Sequence, residues 1–183
     1  MLIGIIGAMD SEVKSLVASM AESKQTCIGH LVFYEGTLEN KNVVIVKCGV
    51  GKVNAAICAT VLINNFNVDC VINTGIAGAL AAGLKIFDFV VSSSAVYHDF
   101  DIQFFGYPPG GVPGFDTPFF SADEALVSKI ETAFSKNEKL KERRLIKGVV
   151  ASGDQFISDS VKKDYIKQTF NPACCEMEGT SIA

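Results

Sequence analysis

Apolar runs that end in glycine and alternate with helix-like stretches predict an α/β protein, a mixed central sheet flanked by helices. Leu2-Ile3-Gly4-Ile5-Ile6 runs into Gly7, Val68 to Asn73 into Gly75, and Phe89 to Val96 into a long loop. Each run is short and apolar, as buried strands are. Residues 27–38 and 43–48 alternate, and Glu39-Asn40-Lys41-Asn42 between them reads as a hairpin turn. A hairpin beside repeated strand–helix units is what makes the sheet mixed.

The elements follow in order. Ser11 is the expected N-cap of a first helix that carries Val13, Leu16, Val17 and Met20 on one face. Gly49-Val50-Gly51 opens a second helix running from Lys52 to about Asn65, and Gly75-Ile76-Ala77-Gly78 follows the strand at 68–73. Residues 122–142 read as helix, 145–151 as strand, 158–170 as helix and 173–175 as a strand tip. Thr180-Ser181-Ile182-Ala183 reads as the opening turn of a helix, without a Gly, Asn or Pro stop, so the chain is expected to end inside an element. The stretch from His98 to Phe120 holds four of the five prolines and six phenylalanines. A loop that long and that aromatic is functional or covered by a partner. There is no repeat or linker, and residues 1–183 are expected to form a single domain.

Composition excludes several classes. With 49% hydrophobic and 20% charged residues the chain can build a core, which a disordered chain cannot. The net charge of −4 argues against nucleic-acid binding. The basic run from Lys136 to Lys147 is interleaved with Glu138 and Glu142 and reads as a solvated surface. Six cysteines show no C-x-x-C pair, and only His30 and His98 offer imidazole, so no metal site and no cofactor are expected. Buried free thiols in a reducing cytoplasm account for them. No basic leader precedes the first strand and no apolar run approaches about 18 residues, so neither export nor a membrane span is indicated.

Three glycine turns after strands, Gly7-Ala8-Met9, Gly49-Val50-Gly51 and Thr74 to Gly78, point to a shared ligand pocket. None is a P-loop or a dinucleotide fingerprint. Glu12, just inside the first helix, is either a surface carboxylate favoured by the helix dipole or a general base that orients a water. Asp154, after Ser152-Gly153, either caps the next turn or touches a ligand. Phe156 and Ile157 are either core or a stacking wall for a flat ring. Glu176 and Glu178 flank Met177 just beyond a strand tip, a place where α/β folds present polar groups.

Together the motifs Gly4 to Met9 with Glu12, Gly51-Lys52-Val53, Ile72 to Gly75 with Ala77-Gly78, Tyr97-His98-Asp99, Phe105-Gly106-Tyr107, Ser152-Gly153-Asp154 and Glu176-Met177-Glu178 resemble, in order and from Met1 to Ala183, the 5′-methylthioadenosine/S-adenosylhomocysteine nucleosidases. The resemblance implies a nucleoside phosphorylase-like fold and hydrolysis of the N-glycosidic bond of both nucleosides to adenine and a thioribose. It implies that Glu12 activates the water, that Glu178 binds the ribose with Glu176 beside it, and that Met177 lies against the sugar. It puts adenine on Phe156, Ile157 and the backbone near Ala77 and Gly78, and the 5′-thio group on Met9 and Val50. It also implies a homodimer whose second copy contributes Ile102, Phe105 and Pro113.

Three departures stand out. Val50 replaces a common isoleucine, and Ile76 replaces a usual serine, with loss of a polar contact. The family's acid is an aspartate in a Ser-Asp motif beyond the Glu-Met-Glu segment, together with a last strand and helix that these 183 residues do not include. Asp154 belongs to another motif and is not given that role. A polypeptide of these residues alone is therefore expected to bind adenine nucleosides weakly and turn over negligibly. Two other readings stay open: a purine nucleoside phosphorylase, against which the placing of the only arginines, Arg143 and Arg144, in the charged run argues, and a catalytically incomplete nucleoside-binding fragment.

Overall fold

The strand β1 (Leu2–Gly7) pairs in parallel on both sides, with β4 (Lys41–Lys47) and with β5 (Cys70–Asn73). The computed structural model describes residues 1–183, which divide into two compact units, residues 1–76 with Ile182 and residues 77–181 with Ala183. The mixed α/β class holds in each, and the strands fall into two five-stranded sheets.

In the first unit the sheet order is β2-β3-β4-β1-β5, where β2 is Ala21–Ile28 and β3 is Leu31–Leu38. Strand β4 is buried on both faces from Val43 to Val46, which is why it reads as an unbroken apolar run. The helix α2 (Lys52–Phe66) turns Ala55, Cys58, Ala59 and Leu62 inward, an i, i+3, i+4, i+7 stripe whose small residues let it lie close to the sheet. Leu62 and Phe33 are fully buried, and each such side chain contributes about 1.5–3 kcal/mol.

Three expectations change here. Residues 27–38 are not one strand, because Gly29, at φ 60°, and His30 turn the chain between β2 and β3. Strand β2 begins back at Ala21. It is an edge strand with five exposed residues in succession, so it carries no alternation to read. The turn after β3 is tighter than four residues: only Glu39 and Asn40 lie outside the strands, with φ of 46° and 59°, the left-handed pair that hairpin twist favours. The helix α1 (Asp10–Ala18) is capped by Met9 rather than Ser11, and it stops before Met20.

In the second unit the order is β6-β10-β9-β7-β8. Strands β7 (Phe89–Tyr97), β9 (Leu145–Ser152) and β10 (Cys174–Glu176) run parallel, while β6 (Gly78–Ala79) and β8 (Phe119–Ser121) pair antiparallel at the two edges. The helix α3 (Glu124–Lys136) ends earlier than 142 because Asn137 is extended, with a 3-10 turn at Glu138–Leu140 beyond it. Helix α4 (Ser160–Phe170) buries Ile166 and Phe170, and the short α5 (Gly179–Ile182) follows β10. In the aromatic loop Phe104 is 94% and Phe105 73% exposed, whereas Phe120 packs its ring on Tyr97 and Phe115.

All six cysteines are free, but they are not uniformly buried: Cys27 is exposed on β2. Burial pushes the Cys58 and Cys174 thiols up to about 12, which keeps them protonated and unreactive. No helix is long and apolar enough to cross a membrane.

Candidate functional site

In the first unit, parallel pairing brings the carboxyl ends of β4, β1 and β5 to one edge of the sheet, and each is followed by one of the glycine turns. Glu12 occupies the third position of α1 and folds back over that edge. Its Oε2 accepts from the N–H groups of Ala8 (2.7 Å) and Met9 (3.0 Å), and its Oε1 accepts from the N–H of Ile76 (3.0 Å). Two of these donors lie at the amino end of α1, where a carboxylate is favoured by the helix dipole. The third comes from the turn beyond β5. Gly75 makes the approach possible: a Cβ there would lie 2.6 Å from Glu12 Oε1.

Around Glu12, Met9 is half-buried and Val50 is exposed in the turn between Gly49 and Gly51, which adopt φ of 86° and 101°. Asn54 fixes that turn by donating from Nδ2 to the Val50 carbonyl at 2.7 Å. The Ile76 side chain is 75% exposed although its N–H is committed to Glu12.

In the second unit the carboxyl ends of β7, β9 and β10 also share one edge, presenting Tyr97-His98-Asp99, Ser152-Gly153-Asp154 and Glu176-Met177-Glu178. Gly153 has to be glycine, since a Cβ would run into the His98 ring. Asp99 Oδ2 accepts from the Asp154 N–H at 2.8 Å, which ties the two loops together. Asp154 does not cap the next helix; Asp159 does, accepting from Lys162 N. Phe156 is 87% exposed and Ile157 is half-buried against the core.

Glu178 is 8% exposed and Met177 half-buried, whereas Ala77 and Gly78 lie open on and beside β6. Both oxygens of Glu176 are engaged inside the protein. Oε1 takes the hydroxyl of Ser152, and Oε2 accepts from the N–H groups of Glu178 (2.8 Å) and Gly179 (2.7 Å). Ile102 is half-buried, while Phe105 and Pro113 are exposed. A cavity of about 310 Å³ opens beside Asp99, Ile157, Lys162 and Tyr165 and does not reach Glu178. No group of three or more His, Cys, Asp or Glu side chains is arranged to hold a metal ion.

Sequence reasoning gave no role to Asn54, Asp99, Ser152 or Thr180. The contacts of Asp99, Ser152 and Thr180 depend on register between strands distant in sequence, whereas Asn54 bonds a carbonyl four residues back. Ser152, for example, sits opposite Glu176 because β9 and β10 pair in parallel.

A family model described as the phosphorylase superfamily matches residues 2–183. A 5′-methylthioadenosine/S-adenosylhomocysteine nucleosidase of Anoxybacillus flavithermus is 41% identical over all of this chain and 78% of its own length. The crystal structure of the nucleosidase of that name from Neisseria meningitidis, in complex with methylthio-immucillin-A, superposes with a TM-score of 0.94 at 36% identity, covering all of this chain and 78% of that one. The Colwellia psychrerythraea nucleosidase in complex with adenine gives 0.93 at 38% identity, with 74% of that chain covered.

A methyl group at Gly75 must displace the Glu12 carboxylate from its three donors. Gly75→Ala is expected to destabilise the fold by about 1–3 kcal/mol in urea unfolding, the range for overpacking a tight contact. Adding Glu12→Ala removes the clash and should recover part of that loss. Strictly additive effects of the two substitutions would show that the contact is absent.

Proposed function

Because this chain belongs to the phosphorylase superfamily, and within it to the 5′-methylthioadenosine/S-adenosylhomocysteine nucleosidases, we propose that it hydrolyses the N-glycosidic bond of these nucleosides to adenine and a thioribose. The observation that carries the mechanism is the Glu12 carboxylate held by three N–H groups. Cleavage passes through an oxocarbenium-like state and needs a base for the incoming water. Three donors fix the direction of the Glu12 oxygens and leave lone-pair capacity for a water, so the base is oriented before substrate arrives. Glu178, nearly buried, accepts from the ribose hydroxyls, with Met177 against the sugar. Phe156, its ring open, and Ile157 stack on adenine near the Ala77 and Gly78 backbone, and Met9 and Val50 meet the 5′-thio group.

Phosphorolysis is the other chemistry of this superfamily fold, and a multiply charged phosphate calls for arginine forks. Arg143 lies over the Phe87 ring and Arg144 donates its N–H to Asp88, both in the exposed charged corner. Every equivalent of adenine released from methylthioadenosine should be matched by free thioribose, with or without phosphate. A sugar 1-phosphate whose yield tracks added phosphate would overturn hydrolysis. In a chain that also carries the family's downstream aspartate, Glu12→Gln is expected to lower turnover about a hundredfold or more, and an unchanged rate would remove Glu12 from the chemistry.

The partner in this reading is a second copy of the chain. Phe104, Phe105 and Phe115 are exposed aromatic rings of one loop, a surface that a soluble protein covers. In the dimer the partner subunit's Ile102, the partner subunit's Phe105 and the partner subunit's Pro113 close the 5′-thio end. The family model's span supports one nucleosidase domain, and the free thiols support a cytoplasmic setting. Sedimentation should give a dimer at micromolar concentration that Phe104→Asp with Phe105→Asp dissociates; a wild-type monomer would contradict it.

A further inference from the structure

Glu176 and Glu178 sit two residues apart in one motif, yet their carboxylates are in different situations. The parallel register of β9 and β10 sets Ser152 beside Glu176 at the sheet edge. Ser152 is fully buried, and its hydroxyl donates to Glu176 Oε1. Ser152 Oγ in turn accepts from Thr180 N at 2.8 Å and from Thr180 Oγ1 at 2.7 Å. A serine hydroxyl has one proton to give and two lone pairs to offer, so Ser152 is fully used. Glu176 Oε2 takes the N–H groups of Glu178 and Gly179. Together Glu176 and Ser152 supply acceptors for the N–H groups of three successive residues, 178 to 180, which open α5 and would otherwise lack partners.

We propose that Glu176, locked to Ser152 and Thr180, is a positioning residue that holds the backbone of Met177 to Thr180 so that Glu178 meets the ribose hydroxyls, and that Glu176 itself does not contact the sugar. The inference deepens the proposed function and rests on it for the identity of the ligand. Physically, turning this carboxylate toward a ligand would break its bonds to two amides and a hydroxyl and leave the part-buried N–H groups of Glu178 and Gly179 unsatisfied. The α5 N–H groups are thus used internally, and the ligand-directed acceptor of the segment is Glu178. The tight space over Gly179, where a Cβ would lie 3.2 Å from Glu176 Oε1, fits a turn packed on this carboxylate.

Calorimetric binding of methylthioadenosine and of its 2′-deoxy and 3′-deoxy analogues to Ser152→Ala, Glu176→Gln and the double variant tests the assignment. Each single substitution should weaken methylthioadenosine about tenfold, the equivalent of one well-placed hydrogen bond. Each should also reduce discrimination against the deoxy forms, and the double variant should be no worse than the weaker-binding single. Thr180→Ser, which keeps the hydroxyl, should bind like wild type. Loss of binding in Glu176→Gln with Ser152→Ala unaffected would make Glu176 a direct ligand and overturn the proposal. Lower melting temperatures with affinity and discrimination unchanged would reduce the network to a fold-stabilising one, and overturn it too. Amide exchange reads the latch without ligand: the Glu178 and Gly179 amides should exchange faster in Glu176→Gln, and unchanged exchange would refute it. A wild-type protein that binds no nucleoside yet shows the expected exchange would instead sink the functional reading.

Discussion

A carboxylate that accepts three backbone N–H bonds is the interaction that ties together the turns at the first unit's sheet edge. Glu12 draws its donors from two separate connections, Ala8 and Met9 after β1 and Ile76 after β5. The two strands are parallel neighbours, so their carboxyl ends lie side by side at one edge of the sheet. Gly7 and Gly75 keep it clear: a Cβ at either would meet Val13 or Glu12 within 3 Å. Sheet register, two glycines and the start of α1 therefore act together to fix one functional group. Charge-assisted bonds of this kind are stronger than neutral ones, and each donor also restricts where the carboxylate points.

The second unit applies the same physics to a different end. Its parallel strands bring a buried hydroxyl, Ser152, opposite a carboxylate, Glu176, and the pair gathers the N–H groups of the next turn. One acid is consumed in shaping the backbone while its neighbour in sequence, Glu178, stands nearly buried beside it. Division of labour between two carboxylates in one short motif follows from which of them the parallel register places against Ser152.

The sequence made the strong apolar elements legible, because β4, β1 and the α2 stripe obey the patterns that burial imposes. It did not reveal β2, whose exposed edge position removes the alternation that marks a strand. Ser11 looked like a cap on side-chain chemistry, but the N-cap is Met9, two residues earlier, and Glu12 at the third helical position reaches back to the Met9 N–H as the glutamate of a capping box does. Candidate residues were found by motif, whereas the partners of Glu12 and Glu176 were not. Ile76 lies 64 positions from Glu12 and Ser152 lies 24 from Glu176, separations that only the fold closes. The change at Ile76 shows the same point from the other side: its side chain is exposed, and the bond to Glu12 is made by the backbone N–H, which every residue but proline supplies.

The amide proton of Ile76 tests the Glu12 geometry most directly, because no other interaction explains why an N–H in so exposed a residue would sense a distant carboxylate. Compared by NMR between the wild-type protein and Glu12→Ala, the Ile76 amide resonance should shift together with those of Ala8 and Met9, because all three lose the same acceptor. An Ile76 amide that stays where it was when Glu12 is replaced, while the Ala8 and Met9 amides move, would contradict the account.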